Sequence, residues 1–312
     1  MKKIIRIQQS DTAPLQLTWV INNICTKSCT YCPSELHTGK NHNYDWDNAR
    51  EFFKMLFERY PKIHCSVSGG EPSLSPFLPE ISKTFYDAGH TIGITSNAAK
   101  TVNYWKELAP YLNYICFSWH PEDPDPEFIQ KVRATASLTS TIVRIMMHPE
   151  RWPECVAMFQ KLYAYTDISV EVVRISDHNG INRRAHIYSD EQLEWLAIPR
   201  KREILLKKPP GGHPDILADV HFNTGEVLVK PNAIELINQG LNNFENYKCE
   251  IGLKSLFVHW NGSIKRGNCL VGGFIGHIND PKNIVWPTDA ITCTANICDC
   301  SSDFYINKWI QE

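Results

Sequence analysis

Apolar and polar positions follow two alternating periods along the first half of the chain. The runs at 16–24, 63–67, 90–96, 114–119, 141–147 and 168–175 are short and rich in apolar, β-branched and aromatic residues, so each predicts a strand. Between them apolar residues recur every three or four positions. At 45–60, Trp46, Phe52, Phe53, Leu56 and Phe57 gather on one helical face. A second helix opens at Ser75 or Pro76 and closes at Gly89, and others are expected over 102–108, 127–138 and 153–165. Six strand–helix turns predict a parallel sheet with right-handed crossovers. Periodicity alone leaves a barrel and a doubly wound sheet both open.

After residue 175 the regularity lapses. The stretch 188–196 predicts a helix with Ser189 or Asp190 as its N-cap. Residues 199–214 are basic and rich in Pro and Gly, which reads as a linker; contact with an anionic substrate is the other reading. Two hairpins follow. The first, at 220–229, turns at Asn223-Thr224-Gly225, and the second, at 256–265, turns at Asn261-Gly262, a dipeptide suited to a type I′ turn. The expected division is a first domain over 1–198, a linker over 199–217 and a small second domain over 218–312.

A length of 312 residues allows one large domain with ample core and a smaller companion. The net charge of -2 argues against a dominant surface for nucleic acid. No apolar stretch approaches the roughly 18 residues that span a bilayer. The N-terminus starts like a signal peptide but turns polar at Gln8. A cytoplasmic protein with no membrane and no nucleic-acid partner is therefore expected. The first strand of the alternating region begins about fifteen residues in, so no appended peptide-recognition domain is expected.

The eleven cysteines change this picture, because they cluster. Their odd number and tight spacing oppose a disulfide framework and favour metal ligation. Cys65 and Cys116 lie inside strand-like runs and Cys155 inside a helix-like one, so these three are expected as buried small hydrophobes. Cys25, Cys29 and Cys32 follow the first strand within eight residues. Three thiolates so placed can hold three corners of a cubane iron–sulfur cluster and leave the fourth iron open. A zinc site is the alternative for a bare triplet. The second strand ends in Ser68-Gly69-Gly70-Glu71-Pro72. Together, a Cys-x3-Cys-x-aromatic-Cys loop with Tyr31 as the aromatic residue and a Gly-Gly-Glu-Pro turn resemble the radical S-adenosylmethionine (radical SAM) superfamily.

That resemblance implies an α/β fold with a partial (β/α)6 TIM-like barrel, its chemistry on the loops after the strands. It implies a [4Fe-4S] cluster on Cys25, Cys29 and Cys32 whose open iron chelates S-adenosylmethionine. Reductive cleavage then gives methionine and a 5′-deoxyadenosyl radical that removes a hydrogen from the substrate. Gly69, Gly70 and Glu71 match the motif that receives the methionine amino group, with Pro72 stiffening the turn. Tyr31 would lie on the adenine side. Ser96 and Asn97 end the third strand, Ser118 or His120 are ribose candidates after the fourth, and Arg144 is a candidate for the methionine carboxylate. Arg174 would meet the substrate if it points inward. Reduced flavodoxin or ferredoxin is the implied electron donor.

Five cysteines remain. Cys249 and Cys269 flank the second hairpin, so strand pairing would bring their sulfurs together, and Cys293, Cys298 and Cys300 form a Cys-x4-Cys-x-Cys cluster. This arrangement resembles the Twitch domain, the shortened SPASM extension, which carries one auxiliary [4Fe-4S] cluster. Cys249, Cys269, Cys298 and Cys300 are the favoured ligands and Cys293 the spare; a structural zinc ribbon has the same signature. The expected activity is a net oxidation or bond formation on a small polar metabolite, sugar or nucleoside. Modification of a ribosomally made peptide is the alternative substrate reading. From other classes come a non-catalytic iron–sulfur electron carrier and a zinc-stabilised nucleic-acid binder.

Overall fold

The first half folds as its periodicity predicts. In the computed structural model, which describes residues 2–39, 44–175, 186–200, 205 and 217–310, β1 (Ile4–Gln9) precedes β2 (Leu15–Val20), α1 (Trp46–Arg59) and β3 (Ile63–Ser68). Then come α2 (Leu78–Asp87), β4 (Thr91–Ser96), α3 (Val102–Leu108), β5 (Tyr114–Trp119), α4 (Phe128–Ala136), β6 (Ser140–Met147), α5 (Trp152–Tyr163), β7 (Ser169–Arg174) and α6 (Asp190–Ala197). Local chemistry sets several boundaries. The Asp45 carboxylate accepts from the backbone N–H groups of Asp47 (2.8 Å) and Asn48 (3.1 Å), which starts α1. Ser189 and Gln192 form a reciprocal capping box at the head of α6. The expected linker lies almost wholly outside the described residues.

Strands β2 to β7 lie side by side in chain order, all parallel, with the helices between them. Side chains alternate across a strand, so one face carries Leu17, Trp19, Val67, Ile94, Phe117 and Ile145, packed into one core with Phe52, Phe53 and Phe85 from the helices. The opposite face receives Gln16, Thr18, His64, Ser66, Tyr114, Ser118, Arg144 and Glu171. The isolated Cys65, Cys116 and Cys155 are fully buried, as expected of small hydrophobes. Arg174 is three residues from Glu171 and therefore falls on the helix side, where its guanidinium lies over the Tyr188 ring at 5.8 Å. It does not share the face of Arg144.

The remaining elements are β8 (Ala218–Phe222), β9 (Val227–Leu228), α7 (Ala233–Asn238), β10 (Lys248–Cys249), β11 (Ser255–Val258), β12 (Ser263–Lys265), β13 (Phe274–His277), β14 (Ile291–Thr292), α8 (Ser301–Phe304) and β15 (Lys308–Trp309). Both predicted hairpins form, β8–β9 and β11–β12. Their placement crosses the expected boundary in both directions. β11 runs parallel to β2, with Leu256 beside Leu17 and Val258 beside Trp19, so β11, β12 and β13 extend the first sheet. Conversely β1, which periodicity did not single out, joins a second, antiparallel sheet in the order β14-β10-β15-β1-β8-β9. This sheet has its own core, built on Ile4, Ile7, Val220, Phe222, Phe244, Phe304 and Ile306. At the far edge of the first sheet, the Asn238 side-chain amide of α7 donates to the Val172 carbonyl at 2.9 Å and so covers β7. Among the described residues no helix is long and apolar enough to cross a membrane.

Gly93 on β4 shows how tightly the polar face is packed. A Cβ there would sit 2.1 Å from the Tyr114 ring, which is held by a 3.0 Å hydrogen bond between its hydroxyl and Ser66 Oγ. Gly93→Ala is expected to destabilise the fold by about 1–3 kcal/mol through overpacking. Urea unfolding checks this as a lower midpoint at unchanged slope.

Candidate functional site

The three early cysteines occupy the loop after β2, and the loop after β3 is laced onto it. Gly70 N–H donates to the Asn22 carbonyl at 2.9 Å, Glu71 N–H to the Ile24 carbonyl at 2.6 Å, and the Asn22 side-chain amide to the Glu71 carbonyl at 3.0 Å. Gly70 is squeezed between the two turns of the cysteine loop. A Cβ on it would lie 2.3 Å from the carbonyl oxygens of both Ile24 and Leu36. Glycine is required here because two backbones meet. Pro72 is buried and opens a short 3-10 turn.

Glu71 is completely buried. Its carboxylate accepts from Ser73 N–H (2.9 Å), the Ser73 hydroxyl (2.5 Å), the Ser96 hydroxyl (2.7 Å) and Asn97 N–H (2.7 Å). Burial pushes its carboxyl pKa up, and these four donors pull it back. Ser96, on the helix side of β4 with Ile92 and Ile94, is thereby committed to Glu71. Asn97 carries the linkage onward, its amide donating to Cys25 Sγ at 3.4 Å and Thr26 Oγ1 at 3.3 Å. One carboxylate thus ties the ends of β3 and β4 to the cysteine loop.

On the other flank, the Tyr31 hydroxyl and His120 Nδ1 are 2.7 Å apart and their rings stack at 6.0 Å, while Cys29 Sγ lies 3.5 Å from the same nitrogen. Burial holds His120 down to about 4, so the imidazole is neutral. His148 and His186 ring Tyr31 at 6.1 and 6.4 Å, and Glu122 accepts from Thr30 N–H at 2.9 Å. Burial raises the thiols of Cys25 and Cys29 and pushes Cys32 up to about 12, which favours their neutral form unless a cation is bound beside them. Ser118 pairs in register with Arg144, whose Nε donates to Glu171 at 2.7 Å. Among the described residues the terminal guanidinium nitrogens of Arg144 have no partner. Glu171 was not anticipated, although its alternation with Val170 and Val172 placed it on the polar face.

The late cysteines surround a small cavity in the second core. Its walls are Cys249, Cys269, Cys293 and Cys298 with Ile251, Val271, Ala295, Asp303 and Lys308. Cys249 sits on β10, Cys293 is fixed by N–H donation to the Tyr247 carbonyl at 2.7 Å, and Cys269 by N–H donation to Asp303 Oδ2 at 2.7 Å. Cys300 does not line this cavity: its sulfur is 2.9 Å from Ser302 Oγ, which in turn lies 3.4 Å from Thr18 Oγ1 on the polar face of the first sheet. Cys293, expected as the spare, lines the cavity, and Cys300, expected as a ligand, does not. One residue, Asp299, separates Cys300 from Cys298. Among the described residues, no three His, Cys, Asp or Glu side chains close on a single point suited to one metal ion. The four sulfurs enclose a space.

The Radical SAM superfamily pattern matches residues 19–161, the span from β2 to α5. The match marks this segment, a little under half of the chain, as similar to the radical SAM domain. Among solved structures it is similar to SuiB of Streptococcus suis bound to S-adenosylmethionine, with a TM-score of 0.52 and 14% identity over 84% of this chain and 62% of that one. SuiB bound to the precursor peptide SuiA gives a TM-score of 0.50 at 14% identity, covering 84% of this chain and 61% of that one. Native anSMEcpe with bound AdoMet and a Kp18Cys peptide gives 0.49 at 15% identity, covering 86% and 78%. At such identities the likeness is one of fold, and the chain spans about three fifths of the SuiB structures. No curated protein matches the chain.

The burial of Glu71 has a measurable consequence. Glu71→Ala strands two backbone N–H groups and two hydroxyls inside the protein, so a loss of at least about 3 kcal/mol is expected. A glutamate in an exposed turn would cost under about 0.5 kcal/mol. Chemical denaturation distinguishes the two.

Proposed function

We propose that the chain is a two-cluster radical SAM enzyme. Cys25, Cys29 and Cys32 would hold a [4Fe-4S] cluster with an open iron, and Cys249, Cys269, Cys293 and Cys298 an auxiliary [4Fe-4S] cluster in a Twitch-like unit over 218–312. The observation that carries this reading is the pair of cysteine sets. One is a three-thiol loop bound to a Gly-Gly-Glu-Pro turn; the other is four thiols lining one small cavity, a donor set that suits a cubane cluster. The six parallel strands β2 to β7 are read as a partial (β/α)6 barrel, with the second unit against its polar face.

When bound, the first cluster and S-adenosylmethionine supply a 5′-deoxyadenosyl radical that abstracts hydrogen. The chain's own residues orient and exclude. Gly69 and Gly70 present backbone groups to the methionine amino end, while Glu71, Ser96 and Asn97 fix that loop. Tyr31 and His120 form a neutral wall on the adenine side, and Ser118 is the ribose candidate. The unpaired nitrogens of Arg144 suit a carboxylate, with Glu171 and Asn232 locking the guanidinium in place; the Asn232 amide is 3.3 Å from Glu171 Oε1. A face lined by Thr18, Ser66, Ser118, Arg144 and Glu171 suits a small polar substrate, oxidised or joined with help from the auxiliary cluster and with a reduced flavodoxin or ferredoxin as donor. The SuiB structure with its precursor peptide supports a second reading, a ribosomally made peptide as substrate. Deuterium transfer from labelled candidates into 5′-deoxyadenosine separates the two.

Anaerobic reconstitution tests the cluster assignment. About eight irons per chain are expected, two four-iron cubanes. Replacing Cys25, Cys29 and Cys32 by Ala should remove about four of them and all S-adenosylmethionine cleavage. Cys293→Ala should also remove about four but leave cleavage measurable, while Cys300→Ala should keep all eight. Bound zinc in place of iron, or cleavage that survives loss of the first three thiols, overturns the reading.

A further inference from the structure

Lys308 is the most unusual residue in the second unit. It is only 2% exposed, and it borders the cavity walled by the four cysteines. On the strand pair β10–β15 it stands directly opposite Cys249, which places both side chains on one face of the second sheet. An isolated buried ammonium is costly, so the structure must compensate it. Three backbone carbonyls do part of this: Lys308 Nζ donates to those of Asp303, Phe304 (3.0 Å) and Ile306 (3.0 Å).

Three acceptors match the three N–H bonds of an ammonium ion. A neutral amine would turn a lone pair toward one of these carbonyls, so the arrangement requires the charged form. The same saturation leaves no N–H for any sulfur in the cavity. What Lys308 offers the cavity is therefore its field alone. Asp303 is the other charged wall residue, and its Oδ2 is occupied by the Cys269 N–H at 2.7 Å. Among the residues lining the cavity, Lys308 is the sole cation.

We propose that Lys308 is an electrostatic tuning residue that raises the reduction potential of the auxiliary cluster. This rests on the four-cysteine assignment given above. A cubane held by four thiolates carries net negative charge, and adding an electron makes it more negative. A fixed cation in a low-dielectric wall stabilises the reduced form more than the oxidised one. Net charge near the cluster is among the determinants of potential, and of the two charged wall residues Lys308 is the cation.

The experiment uses the full chain with Cys25, Cys29 and Cys32 replaced by Ala, reconstituted without oxygen so that only the second cluster is present. Potentiometric titration followed by electron paramagnetic resonance of the reduced cluster gives its midpoint. Lys308→Met and Lys308→Gln should shift the midpoint negative, and Lys308→Arg should leave it near the parent value. Neutral variants that titrate at the parent midpoint overturn the proposal, as does an Arg variant that shifts as far as Met. Where the neutral variants take up no iron, uptake restored by Lys308→Arg supports a role for the charge, and uptake that Arg fails to restore overturns it. A parent that itself takes up no iron overturns the four-cysteine assignment and this proposal with it; a loaded parent with unshifted variants overturns this proposal only.

Discussion

The parallel pairing of β11 with β2 is the constraint on which the arrangement depends. β2 leads the chain into Cys25, so the strand beside it decides how the second unit meets the first. With β11 alongside, in the register Gln16↔Ser255 through Trp19↔Val258, β2 is an interior strand with a backbone ladder on both sides. Sliding one unit against the other would break a set of ladder bonds, each worth about 1 kcal/mol net. The same register brings Thr18 and Ser302 together, and Asn232, the N-cap of α7, and Asn238 at its end fasten the opposite end at β7. The two cysteine sets are thereby parts of one frame.

Within that frame, two buried charges are handled in the same way. Glu71 is satisfied by N–H and O–H donors, and Lys308 by carbonyl acceptors. Neutral dipoles surround each ion, a solution that avoids the desolvation of a second charge. Each ion has its hydrogen-bonding capacity filled by the fold. Glu71 converts that into geometry, holding two loops to a third; Lys308 converts it into a potential within a small cavity. Arg144 differs, since Glu171 engages only one edge of its guanidinium.

How much of this was readable beforehand depended on the range over which each rule acts. Helix and strand periods, the cap at Ser189 and the Asn261-Gly262 turn are set within a few residues, and the elements formed close to where those signals lie. The cysteine loop and the Gly-Gly-Glu-Pro turn were legible for the same reason. What escaped were decisions made by distant partners. Residues 4–9 carry little alternation and owe their strand to β8 and β15. That Cys293 lines the cavity follows from its backbone bonds to Tyr247 and Asn246, which spacing does not encode. Counting alternation back from Glu171 would have placed Arg174 correctly. Nothing near Lys308 in the sequence marks it, because its significance comes from Cys249 on a neighbouring strand.

The central place of β1 in the second sheet carries a consequence for biosynthesis. Arg6 pairs with Trp309, and Ile7 with Val220 and Lys308, so β1 waits for strands that lie far downstream of it in the sequence. Contacts of such long sequence separation form late, after the local βα units have collapsed. During synthesis the early thiol loop is therefore in place while the later thiols still lack walls around them. The two cysteine sets are therefore completed in order, and β1 acts as the latch that closes the second.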